Sequence, residues 1–356
     1  MMIDLTETFG AGNEPSAEVM EYFISSYENY HFTGTVDNLI TYKALAQMAA
    51  DSAMAISAAG LSVNEKYFSI TSDREFEILV QLHDVTYARY VYKKGTADDF
   101  VRLNTTSICT FDGTTPTDII VVHAASVQEF AVSFKPNGTS LDYLWFPQHT
   151  SGTAFAESQN LYFDDVEIVS ATPTAFVPFN EFRLEQVVDA IHPDDGTSTH
   201  LLRVQIVTSI DKNSDRIMMA GCMTTLADTD IGQSYLGMFP VKTDYCNRIR
   251  TNFGSVYPTV KTDGSDTDLV FEGDYLTSVA AENTGIYSRY RFCMELALPE
   301  ATTRRGEAGR RDPVCFIEHR DASLQKLYIA TLPSTTLTTG ESFRFGCALY
   351  MEDTGK

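Results

Sequence analysis

The residues able to do chemistry lie in a few short stretches. His192-Pro193-Asp194-Asp195 with His200 places two imidazoles and two carboxylates within nine residues, donors that could meet at a metal ion. The plainer reading is a Pro- and Gly-containing surface turn ahead of a strand over Leu201–Thr208. Asp263-Gly264-Ser265-Asp266-Thr267-Asp268 has the composition of a calcium loop. It lacks the Asp-x-Asp-x-Asp-Gly order and the distal bidentate Glu, and reads as a hairpin turn. Tyr143 and Trp145, in Tyr143-Leu144-Trp145-Phe146-Pro147, share one strand face. There they could stack on the C–H face of a sugar or simply fill a core. Glycosidase chemistry needs two carboxylates about 5–9 Å apart. With 48 Asp and Glu some pair always meets that spacing, so the pattern carries no information. Gly-x-Ser-x-Gly, Gly-x-x-x-x-Gly-Lys-[Ser/Thr] and His-Glu-x-x-His are absent. Phe9-Gly10-Ala11-Gly12-Asn13 lacks the strand–turn–helix setting of a dinucleotide site. No enzyme and no obligatory cofactor are expected.

The elements around these residues fall into three parts. Residues 1–60 read as a helical attachment segment. Pro15-Ser16 opens a helix whose Val19, Met20, Phe23, Ile24 and Tyr27 share a face. An alanine-rich helix follows over about 39–59 and stops at Gly60. Its Tyr42, Leu45, Ala49, Ser52 and Ile56 are spaced 3-4-3-4, like a heptad seam, which points to a homo-oligomer, a trimer above all. Ile3, Leu5 and Phe9 are apolar residues ahead of these helices that could anchor the chain or pair with a sheet edge.

From residue 61 the period becomes two. Phe76, Ile78, Val80 and Leu82 alternate with Glu75, Glu77, Leu79 and Gln81. Further runs at Thr86–Tyr92, Asp118–His123, Glu129–Phe134, Leu141–Phe146 and Leu161–Val169 predict a lectin-like β-sandwich over 61–172. A linker is expected at 173–180, then a second β-sandwich over 181–356. Its strands are expected at His200–Ser209, Arg216–Thr225, Leu269–Tyr275, Ile286–Leu298, Val314–Glu318, Lys326–Leu332 and Phe343–Met351. The fold class is thus mainly β, with an N-terminal helical segment and two jelly-roll-like sandwiches.

The 356 residues carry 26 Lys and Arg against 48 Asp and Glu, a net charge of −22. Such a chain is a poor partner for nucleic acid, whose binding needs a basic face, and for anionic membrane surfaces. No run approaches the ~18 apolar residues of a membrane span. The first residues show no basic n-region before an apolar core, so no signal peptide is expected. The six cysteines, none at Cys-x-x-Cys spacing, read as buried reduced thiols.

Asp4-Leu5-Thr6-Glu7-Thr8-Phe9-Gly10-Ala11-Gly12-Asn13-Glu14-Pro15-Ser16 resembles a module of bacteriophage tail and fibre proteins, and His31-Phe32-Thr33-Gly34-Thr35 stands where that module has an aromatic-rich Phe-x-Gly-Thr. The match covers about 40 residues. It implies a virion structural protein of the tail, baseplate or fibre that adheres to the host surface, with other virion proteins and a surface glycan or protein as partners. A head fibre or capsid decoration protein and a tail-associated glycan-active enzyme are the alternatives. Leu161-Tyr162-Phe163-Asp164-Asp165-Val166-Glu167-Ile168 is similar to the closing strand of carbohydrate-binding jelly rolls, which makes Asp164 and Asp165 candidates for a structural calcium.

Overall fold

Alternating and apolar runs of this kind can bury themselves only by pairing into sheets and stacking the sheets. A computed structural model describes residues 64–72, 75–94, 100–123, 129–146, 153–169, 172–252, 254, 256–258, 267–268, 276, 278–296, 316–319, 324–330 and 334–355. The expected helices, with Ile3, Leu5, Phe9, Val19, Phe23, Tyr42, Leu45 and Ile56, lie outside the described residues. So does the strand expected at 269–275.

The described chain forms two antiparallel sheets. One has thirteen strands, which begin with the meander β1 (Lys66–Ser72), β2 (Glu75–His83), β3 (Thr86–Lys94), β4 (Val101–Phe111) and β5 (Pro116–His123). It continues through β6 (Glu129–Pro136) and β7 (Leu144–Phe146), and β10 (Val177–Pro178) pairs with β1. Its remaining members are β14 (Thr229–Lys242), β17 (Thr267–Asp268), β20 (Phe316–His319), β21 (Leu324–Ala330) and β22 (Thr335–Leu337). The other sheet has ten strands. They are β8 (Ala154–Phe163), β9 (Val166–Glu167), β11 (Phe182–Ile191), β12 (His200–Ile210), β13 (Ile217–Thr225), β15 (Arg248–Thr251), β16 (Val256–Pro258), β18 (Ser278–Glu282), β19 (Tyr290–Leu296) and β23 (Ser342–Asp353).

The mainly-β expectation holds, but the strands do not sort into one sheet pair before residue 173 and another after 180. β8 pairs with β11, β6 pairs with β14, and the expected linker itself supplies β10. Each sheet takes strands from both sides of 173–180. The single strand expected at Leu161–Val169 is instead a hairpin. Asp164 and Asp165 both take positive φ (49° and 61°) and turn β8 into β9, a conformation that short polar side chains tolerate.

One apolar core lies between the sheets. Phe76 of β2 stacks on Tyr92 of β3 at 4.6 Å, and both meet Phe182 of β11 at 5.4 and 5.9 Å. Phe68 of β1 stacks on Phe163 of β8 at 3.7 Å. Buried polar groups also cross the layers. Gln186 Nε2 donates to the Val101 carbonyl and to Gln159 Oε1, which also accepts the Val101 N–H. Tyr90 Oη accepts the Met351 N–H at 3.1 Å. An unpaired donor here would cost about 1–3 kcal/mol, so these bonds hold the two layers in one register.

Candidate functional site

The residues singled out by sequence do not converge. Tyr143 is partly exposed, with the Lys135 ammonium 5.1 Å from its ring centre. Trp145 of β7 lies flat against Tyr235 of β14, 5.6 Å away and 10° from parallel, and Tyr235 leans on Tyr328 of β21 at 4.7 Å. One indole face is therefore used inside the protein. Asp164 is a turn holder: its Oδ1 accepts the N–H groups of Asn180 (2.7 Å) and Glu181 (2.9 Å). Asp165 reaches Arg183 at 3.4 Å.

The stretch 192–200 is the surface turn, not a cluster of metal donors. His192 is buried, with Nε2 3.0 Å from the Asp142 carbonyl, and Pro193–Asp195 form one 3-10 turn. Among the described residues, no three His, Cys, Asp or Glu side chains are placed to hold a metal ion. The described cysteines 109, 222, 246, 293 and 347 are buried and form no disulfide with one another. Burial pushes the thiols of Cys109, Cys246 and Cys347 up to about 12, which leaves them inert.

An opening that sequence did not point to lies where the two sheets meet the turn between β12 and β13. It is a cavity of about 440 Å³, lined by Gln81 and Tyr90 of one sheet, Asn213, Asp215 and Arg216 of the turn, and Tyr350 and Asp353 of β23. The turn is tightly built. Asp211 Oδ1 accepts the Asn213 N–H, and Ser214 Oγ accepts the Arg216 N–H. The buried Lys66 ammonium of β1 donates to the carbonyls of Asp211 (2.9 Å), Lys212 (3.4 Å) and Ser214 (2.9 Å). Burial lowers the Lys66 pKa, with Asp215 and Asp211 opposing it.

Inside the cavity the charged groups are held in place. Arg216 donates to Glu295 at 2.9 Å, and its guanidinium carbon lies 4.2 Å from the centre of the Tyr350 ring. Tyr350 donates its own hydroxyl to Glu295 at 2.6 Å. Asp215 accepts the backbone N–H and side-chain amide of Asn64 at 3.1 and 2.9 Å. Burial raises the Asp215 pKa despite these bonds and nearby Lys66. For Asp353 burial acts in the same direction, but a two-pronged contact from Arg289 (2.6 and 2.8 Å) outweighs it and holds the carboxyl low. The lining thus presents side-chain amides, carboxylates and a guanidinium beside an aromatic ring, groups able to hydrogen-bond a polyhydroxylated ligand.

No family model matches the chain, and no curated protein matches it. Among solved structures, an α-galactosidase from Lactobacillus brevis is similar over 83% of this chain and 40% of its own, at TM-score 0.46 and 10% identity. The galactosidase domain of α-galactosidase-sucrose kinase AgaSK matches 78% of this chain and 40% of its own, at TM-score 0.45 and 11% identity. A putative aldose 1-epimerase from Klebsiella pneumoniae subsp. pneumoniae matches 79% and 80%, at TM-score 0.42 and 10% identity. The chain spans about two-fifths of the galactosidases' length. No residue role is carried over from any of them.

Proposed function

We propose that this chain is a bacteriophage virion structural protein of the tail, baseplate or fibre, whose β body binds a carbohydrate on the host surface. The observation that carries the binding part is the cavity of about 440 Å³, which lies within the range of about 300–1,000 Å³ typical of small-ligand sites. Its lining presents hydrogen-bonding groups from three segments, with an arginine–tyrosine stack among them. The virion part rests on the likeness of residues 4–16 to the phage module.

Mass spectrometry of purified particles tests the first half, since the protein must be present in them. For the second, the full chain is titrated with surface polysaccharide extracted from the host strain. Asn213→Ala and Arg216→Ala are expected to weaken binding at least tenfold, about 1.4 kcal/mol. Absence from particles, or no binding by the unaltered chain, overturns the corresponding half.

A second reading, a tail-associated glycan-active enzyme, is favoured by one observation. The cavity's lining includes two carboxyls in unlike surroundings, Asp215 raised by burial and Asp353 held low by Arg289. Release of reducing ends from the same polysaccharide, abolished in Asp215→Asn, would favour it over binding alone.

A further inference from the structure

A skip in register near the end of β11 puts polar side chains where an unbroken ladder could not. Asp189 faces Arg203 and Ala190 faces Leu202, but Ile191 then faces His200. In a regular strand, residues 200 and 203 point to opposite faces, because side chains alternate. Here Leu201 and Leu202 both enter the core, 2% and 0% exposed. The Leu201 carbonyl accepts the N–H groups of Leu226 (2.8 Å) and Ala227 (3.3 Å). His200 consequently emerges on the same face as Arg203. Irregularities of this kind re-aim side chains and are over-represented beside active sites.

The two side chains meet over Asp189, which is wholly buried. Arg203 donates Nε to Oδ1 and Nη2 to Oδ2, both at 2.7 Å. His200 Nδ1 lies 2.6 Å from Oδ2. An ionised carboxylate only accepts, so Nδ1 carries the proton of this contact and, in the neutral form of the ring, Nε2 is an acceptor. β11 and β12 already share ten paired positions. A buried carboxylate adds little to joining them and costs desolvation; what it does is fix the imidazole. Directly opposite Asp189 on β8 stands Phe155, 50% exposed, its ring centre 5.4 Å from that of His200. A large aromatic left in solvent beside an oriented acceptor offers a flat apolar face and a hydroxyl partner within one ring's width.

We propose that Phe155 and His200 form a carbohydrate subsite. The C–H face of a pyranose lies on Phe155 and one of its hydroxyls donates to His200 Nε2. Asp189, held by Arg203, is the positioning residue. The inference rests on the reading that the β body binds carbohydrate, and it shares no residue with the cavity's lining.

The test uses the full chain with isotope-labelled histidine. Its seven imidazoles are few enough to assign by single variants. The probes are the methyl glycosides of glucose, galactose, N-acetylglucosamine and rhamnose. At least one is expected to shift the His200 ring resonances saturably. Phe155→Ala, at an exposed position, should weaken that binding at least tenfold in the same titration, and His200→Asn, which keeps a donor toward Asp189 but removes the Nε2 acceptor, should weaken it at least tenfold as read by calorimetric titration with the same glycoside. The subsite is overturned if no glycoside moves those resonances, or if Phe155→Ala binds as tightly as the unaltered chain. Should host polysaccharide still bind in a manner sensitive to Asn213→Ala, only the subsite falls; if it does not bind at all, both readings fall.

Discussion

A carboxylate inside a sheet persists only where cations surround it, and Glu282 has three. Arg248 lies directly across on β15 and Arg291 directly across on β19. Their Nε atoms reach Glu282 at 2.5 and 3.1 Å, and that of Arg250 at 2.7 Å. Burial alone would raise the Glu282 pKa, but Arg250, Arg248 and Arg291 outweigh it and hold the carboxyl low. A carboxyl lowered on folding contributes stability above its unfolded pKa, about 4.3, and loses it as pH falls through the folded value. Glu282→Gln is therefore expected to cost about 1–3 kcal/mol at neutral pH, because it leaves three partly exposed guanidiniums without their charged partner. That deficit in the urea midpoint should shrink as the pH is lowered past about 4. None of this was legible in sequence, since the four residues are brought together by cross-strand register. His200 could be picked out by type, yet its partner could not. Asp189 sits in Glu185-Gln186-Val187-Val188-Asp189-Ala190-Ile191, a run that reads only as strand.

At the scale of elements, strands were readable where one face of the sheet is wetter than the other. In β2 the inward Phe76, Ile78 and Val80 are almost fully buried, while Glu75, Glu77 and Gln81 on the other face keep some exposure, with Leu79 buried among them. β11 carries no such alternation, because eight of its ten residues are buried, on both faces. β14 was missed for a different reason. Gly232, Gly237 and Pro240 look like breaks, and the strand does shift register against both β6 and β21. The turn at Asp164-Asp165 escaped notice because its residues have the polarity of an exposed strand position. Phe182, at the start of β11, bridges the layers through Phe76, Tyr92 and Phe163. Phe182→Ala is expected to lower stability by about 3–5 kcal/mol, read as a shift in the urea midpoint without a change in slope.

For the molecule as a whole, sequence could convey that the body is β but not which strands share a sheet. Alternation marks a strand's faces and says nothing of its distant neighbour. Of the local meander β1–β5, β2, β3 and β5 were expected from sequence, while β1 and β4 were not. The pairings of β14 with β5 and β6 bring together strands far apart in the chain. The consequence is measurable. Residues 61–172 and 181–356, expressed separately, are each expected to lack cooperative thermal unfolding. Mixing them, or expressing both together, should restore one transition. Two independently melting halves would show that the shared sheets are not what holds the body together.

The place of β23 bears on how the chain is made. This strand, the last of those described, lies between β13 and β19 in the interior of its sheet. Synthesis runs from the N-terminus, so β11, β12 and β13 leave the ribosome while one long edge still waits for residues 342–353. Over that interval β13 presents unpaired donors and acceptors on an apolar ribbon, the form of edge most prone to join a wrong strand. Translation pauses ahead of codon 342 would lengthen the exposure, and holdase chaperones acting there would raise the soluble yield. The same delay keeps the β body from closing on a nascent chain until residues 342–353 are free of the ribosome.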